Sequence, residues 1–122
     1  MSELGHYHGV QDELREPAKS LRALIPDAFS AFAKLHSATM GDGALPAKTK
    51  ELLALAIAIT RQCDGCIAAH AKGAVRTGAT PQEVAEMIGV TILMNGGPGT
   101  VYGPRAWAAF QEFSAAAAAP GT

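Results

Sequence analysis

Proline and glycine cut this chain into stretches that repeat their apolar residues at helical spacing almost throughout. Val and Thr are scattered, and no period-two run is bounded by turns, so strands have no clear foothold. The spacing predicts an all-α domain of about six helices. The first covers roughly residues 10–23, and Pro17 is a point where it can break. The second begins near Pro26 and carries Phe29, Phe32 and Leu35 on one face. "GDGALP" then interrupts the chain. A third helix runs from Pro46 to about Thr60; its second half is apolar all round, which predicts a central, buried helix. The fourth spans about Asp64 to Thr77 and stops at Gly78. "TPQE" opens the fifth, with Thr80 as cap, Pro81 in the first position and Glu83 closing a capping box. That helix ends at "NGG". A sixth starts near Pro98 or Pro104 and carries Trp107, Phe110 and Phe113. The first eight residues, with His6 and His8, and the closing "AAAAAPGT" are expected to fray.

At 122 residues the chain fits a single domain, 1–122, with no internal repeat. Apolar residues make up 48 % and charged residues 17 %, the latter below the usual quarter or so. That balance predicts apolar surface hidden between subunits. A net charge of −1 without a basic cluster argues against nucleic acid and against an anionic membrane surface. The apolar run "LLALAIAI" is too short to span a bilayer, and the N-terminus lacks the pattern of a signal peptide. The expected location is the cytoplasm, where a lone CxxC points to redox or metal chemistry rather than to a staple.

Both cysteines lie in "RQCDGCIAAH". On a helix, Cys63, Cys66 and His70 fall in one stripe about 60° wide. His70 follows Cys66 by one turn, within reach as a base, whereas Cys63 lies two turns from it. Cys63 sits at the start of the helix, where unpaired N–H groups and the dipole favour a thiolate. These positions cast Cys66 as nucleophile and Cys63 as resolving thiol. Glu51 is the one acidic residue of the third helix and sits beside its buried run. An antiparallel hairpin of helices three and four would bring it within about one turn of His70, making a Glu–His–Cys relay possible. Two other readings remain: cysteines that merely pack in a core, and a zinc site, which would need a fourth ligand and usually a second knuckle. His36 is read as a surface or core-edge residue, and "NGGPG" as a helix stop and tight turn, since a phosphate loop would need a lysine and a preceding strand. Tyr102 and Trp107 are read as pocket or packing residues.

The segment "ELLALAIAITRQCDGCIAAHAKGAVRTGATPQEVAE" resembles the AhpD-like, alkylhydroperoxidase branch of the carboxymuconolactone decarboxylase family. The shared pattern is a glutamate, eleven residues, then Cys-x-x-Cys-x-x-x-His, met here by Glu51, Cys63, Cys66 and His70. "GALPAKTKE" and "MNGGPGTVYG" add to a likeness over about residues 26–113. The resemblance implies helical subunits assembled as trimers or hexamers. It further implies a thiol peroxidase acting on hydroperoxides, with Cys66 peroxidatic, Cys63 resolving, and Glu51 and His70 as proton relay. No cofactor or metal is implied; an external dithiol, in the best-known member a lipoylated protein, reduces the disulfide. One departure stands out. Well-known relatives carry a second histidine where this chain has Gly65. A lactone-acting decarboxylase with incidental cysteines and a non-enzymatic redox-sensing or scaffold oligomer are the alternatives.

Overall fold

The computed structural model describes residues 5–120 and contains, among them, six α-helices and no strand. They are α1 (His6–Leu24), α2 (Pro26–Met40), α3 (Ala47–Thr60), α4 (Asp64–Arg76), α5 (Pro81–Asn95) and α6 (Gly97–Ala118). The expected all-α class and helix number match this arrangement.

The core is built around α4, which packs mainly against α3 and α6, while α5 lies on α6 and α3. Ile67, Ala68, Ala71 and Ala74 of α4 have no exposed surface. Three of these four are alanines, so neighbouring helix backbones approach closely. Leu55 and Ile59 of α3 and Phe110 and Phe113 of α6 close over them. Full burial of an aliphatic side chain of this size contributes roughly 1.5–3 kcal/mol.

α3 and α4 form an antiparallel hairpin. The turn is closed by Arg61 N–H to Ile57 O (2.8 Å), Gln62 N–H to Ile59 O (3.1 Å) and Cys63 N–H to Ala58 O (3.2 Å). Gln62 takes φ 54°, a left-handed conformation that reverses the chain immediately before the cysteine motif. The Glu51 carboxyl lies against Gly73, each eleven residues from Gln62, which is the register of a symmetric hairpin.

The termini depart from expectation. α1 begins at His6 rather than near Val10, because its first turn is capped from across the molecule. The backbone N–H groups of Tyr7 and His8 donate to Glu112 Oε1 (3.1 Å) and Oε2 (2.7 Å), and the His8 ring Nδ1 also meets Oε2. His6 and His8 are therefore helical residues; residues 1–4 lie outside the described ones. α1 also runs unbroken through Pro17. The Glu13 carbonyl that loses its partner belongs to an exposed residue, so water can satisfy it. α6 starts at Gly97, the earlier of the two expected points, and continues to Ala118. Its terminal alanines are the strongest helix formers, which sustains the helix where fraying was expected.

Burial raises the Glu112 carboxyl, but the bonds from His8 and Tyr7 outweigh this and hold it below its ordinary value of 4.5. A depressed acid adds stability that is complete above the unfolded value and is lost as pH falls through the folded one. Glu112→Ala is expected to cost about 2–3 kcal/mol at neutral pH, through several bonds to a charged group. The deficit relative to the parent should shrink as pH falls below 4.5 and on through the lower folded value, where the parent loses its clamp. Urea unfolding at pH 7 and in acid checks both; equal deficits at the two values would contradict the cap.

The α5 capping box is present as read, with Glu83 N–H on Thr80 Oγ1 (3.1 Å) and Thr80 N–H on Glu83 Oε1 (2.9 Å). Gly96 terminates that helix with φ 67°. α3 is only partly the buried helix that its composition predicts. Leu53 and Ile57 are 51 % and 62 % exposed, because α4, α5 and α6 cover one side of it only. α2 holds no buried residue and touches α1 and α3 alone. Its Phe32 and Leu35 face outward, and His36 is exposed.

Candidate active site

Cys63 is the N-cap of α4, and its sulfur accepts the Cys66 backbone N–H at 3.2 Å. The two cysteines are joined by a disulfide, with Cα atoms 5.2 Å apart. The motif thus lies across the first turn of a helix whose remaining turns form the centre of the core. Cys66 is exposed and Cys63 half-buried. A sulfur at the cap position sits where unpaired N–H groups and the helix dipole stabilise negative charge. When the bond opens, Cys63 is therefore the better leaving thiolate, and Cys66 is the sulfur an external thiol reaches more readily.

One turn beyond Cys66, His70 turns its Nδ1 to Glu51 Oε1 at 2.8 Å. Glu51 is 3 % exposed, a buried carboxylate that must be paired to be tolerated. Its second oxygen accepts from Arg76 Nη2 at 3.0 Å. With both carboxylate oxygens accepting, Nδ1 is the nitrogen that donates to Glu51, and Nε2 is the one turned away from it. Among the described residues no hydrogen bond joins His70 to either sulfur of the closed disulfide. The four residues singled out from spacing thus fall on one hairpin. Glu51 and His70 meet directly.

Two participants escaped the sequence reading. Arg76 is six residues after His70, and Gly73 lies between them, so the three share one face of α4. A Cβ at position 73 would stand well under 3.0 Å from the Glu51 carboxyl carbon and both its oxygens. The missing side chain is what lets the carboxylate lie across α4 between its two partners. The i, i+3, i+6 pattern His–Gly–Arg was available in the sequence, but only the hairpin register gives it meaning.

Between the cysteines, Asp64 and Gly65 border a cavity of about 540 Å³ beneath the start of α1, with His6, Val10 and Leu14 among its other walls. His6 Nε2 lies 3.8 Å from Asp64 Oδ2, and Arg105 Nη1 lies 3.9 Å from the same atom. Gly65 faces Leu14, at ordinary contact distance from a would-be Cβ. Burial pushes the nearby Tyr7 phenol up, and Asp64 adds to this, so Tyr7 remains a neutral phenol at physiological pH. No group of His, Cys, Asp and Glu suited to a metal ion occurs among the described residues. No described helix is long and apolar enough to cross a membrane.

Six helices among the described residues, with a disulfide-linked cysteine pair at the turn of the central hairpin and a buried Glu–His pair behind it, define an all-helical protein of a recognisable kind. The chain belongs to the carboxymuconolactone decarboxylase family, whose model matches residues 26–119. A crystal structure of an apo protein of that family from Legionella pneumophila has the same fold, with TM-score 0.85 and 37 % identity, covering 88 % of this chain and 96 % of that one. An uncharacterized protein of Cupriavidus necator is 42 % identical over 103 residues, 84 % of this chain and 91 % of the relative. "Uncharacterized protein 4 in cox locus" of Paracoccus denitrificans is 40 % identical over 94 residues, 77 % of this chain and 82 % of the relative.

Proposed function

We propose that this family member is a thiol-dependent peroxidase of the AhpD-like branch, reducing hydroperoxides through the Cys63–Cys66 dithiol. One observation carries the reading: a disulfide-linked CxxC and a buried Glu–His pair converge on the same helix hairpin. A core packing role for the cysteines would not call for a buried carboxylate oriented on a histidine one turn from Cys66.

In the proposed cycle His70 Nε2 takes the proton of Cys66, and the thiolate attacks one peroxide oxygen. The O–O bond breaks, the alkoxide takes the proton from His70 and leaves as the alcohol, and Cys66 becomes a sulfenic acid. The Cys63 thiolate then attacks the Cys66 sulfur. The S–S bond forms, the S–O bond breaks, and hydroxide leaves with the proton given up by Cys63, as water. An external dithiol attacks Cys66 and expels Cys63, and its second thiol completes the exchange. The dithiol is oxidised and the peroxide reduced, so the electrons balance. A lipoylated protein is the proposed physiological dithiol. The exposed apolar side chains of α2, α3 and α5 support assembly as a homo-oligomer, proposed as a trimer or hexamer, with the cytoplasm as its location.

The test is to treat the reduced protein with hydrogen peroxide or cumene hydroperoxide and follow intact mass. Rapid loss of two hydrogens, followed by multiple turnover once dihydrolipoamide is supplied, is the expected result. Thiols that survive low-millimolar peroxide would overturn the reading. Disulfide formation without turnover would favour a redox sensor, and lactone turnover that survives replacement of both cysteines would favour a decarboxylase.

A further inference from the structure

The two partners of Glu51 differ in kind. Arg76 is a cation at every accessible pH, whereas His70 is one only when protonated. In the proposed cycle His70 alternates between these forms. Each time it is neutral, a carboxylate paired with His70 alone would be buried without a cation. Desolvation would then favour its taking up a proton or swinging away. Arg76 Nη2, 3.0 Å from Oε2, is the one Lys or Arg contact of this carboxylate among the described residues.

We propose that Arg76 is a positioning residue that holds Glu51 ionised and aimed at His70 Nδ1 in both states of the imidazole, leaving Nε2 as the nitrogen that exchanges a proton with Cys66. The guanidinium stem is exposed, yet its tip reaches a buried oxygen, because the carboxylate lies over the bare backbone of Gly73. Arg76 touches neither sulfur and acts only through Glu51. The inference rests on the relay of the proposed function but not on the identity of the oxidant.

Its test therefore uses no peroxide. Iodoacetamide alkylation of Cys66 in the reduced protein, read peptide by peptide, reports how readily the relay removes the thiol proton. Arg76→Met is expected to slow this about tenfold at neutral pH, a fraction of what a general base contributes. Arg76→Lys should recover to within about threefold, since the charge is kept. In a Glu51→Gln background, Arg76→Met should add less than about twofold, as required of residues acting in series. The ¹⁵N shifts of His70 should report an Nδ1–H tautomer in the parent and a mixture in Arg76→Met. An unchanged alkylation rate in Arg76→Met, or a full tenfold effect persisting with Glu51→Gln, would overturn the inference. If the alkylation pattern holds and peroxide is not consumed, the peroxidase reading alone fails. If peroxide is consumed and Arg76→Met is silent, the positioning role alone fails.

Discussion

Cys66→Ser is expected to abolish peroxide turnover, with a loss of at least about a thousandfold, because a hydroxyl is not a useful nucleophile without a far stronger base. Cys63→Ser should behave differently. Serine is a favoured N-cap, so its oxygen can accept the Cys66 N–H now held by sulfur and α4 should remain intact. The variant should carry out a single turnover and stop at the Cys66 sulfenic acid, which dimedone labels. Intact mass after one equivalent of peroxide separates the two: no change for Cys66→Ser, gain of one oxygen for Cys63→Ser. The reverse pattern, with oxygen added only when Cys66 is absent, would exchange the roles of the two cysteines.

Gly73→Ala should be strongly damaging. The new methyl would occupy the place of the Glu51 carboxyl group, which would have to leave a buried site and give up His70 and Arg76 together. Breaking such a buried charged pairing costs roughly 3–5 kcal/mol, while alanine in place of glycine in a helix returns up to about 1 kcal/mol. The expected net loss is about 2–4 kcal/mol, with Cys66 alkylation slowed at least as much as in Glu51→Gln. Gly89→Ala on α5 is the control. Nothing lies within 4 Å of its would-be Cβ, so it should gain up to about 1 kcal/mol. Urea midpoints of the two variants should therefore move in opposite directions. A Gly73→Ala protein as stable as the parent would mean that the carboxylate has another place to go.

The hairpin geometry is legible in the sequence because it depends on counting. Helical rise and a turn near residue 62 determine which residues of α3 and α4 share a level, and Glu51 and His70 follow. Arg76 was not legible, because its contact depends on a long side chain returning across a glycine, and neither half of that arrangement announces itself alone. The start of α1 was beyond reach for another reason. Its cap comes from Glu112, which stands 105 positions from Tyr7, and no local pattern encodes such a partner. α3 misled because composition reports how apolar a helix is, not how many sides its own chain covers. Leu53 and Ile57 are apolar and uncovered at once.

α2, the helix without a buried residue, bears on how the molecule tolerates motion. None of its own residues is buried, so little core burial opposes its opening. Detaching α4 would instead uncover Ile67, Ala68, Ala71 and Ala74, none of which has exposed surface. Easy local opening and the Glu51–His70 contact therefore belong to different parts of the chain. The periphery can shift or exchange, while the spacing between Glu51 and His70 is held by the two helices of the central hairpin.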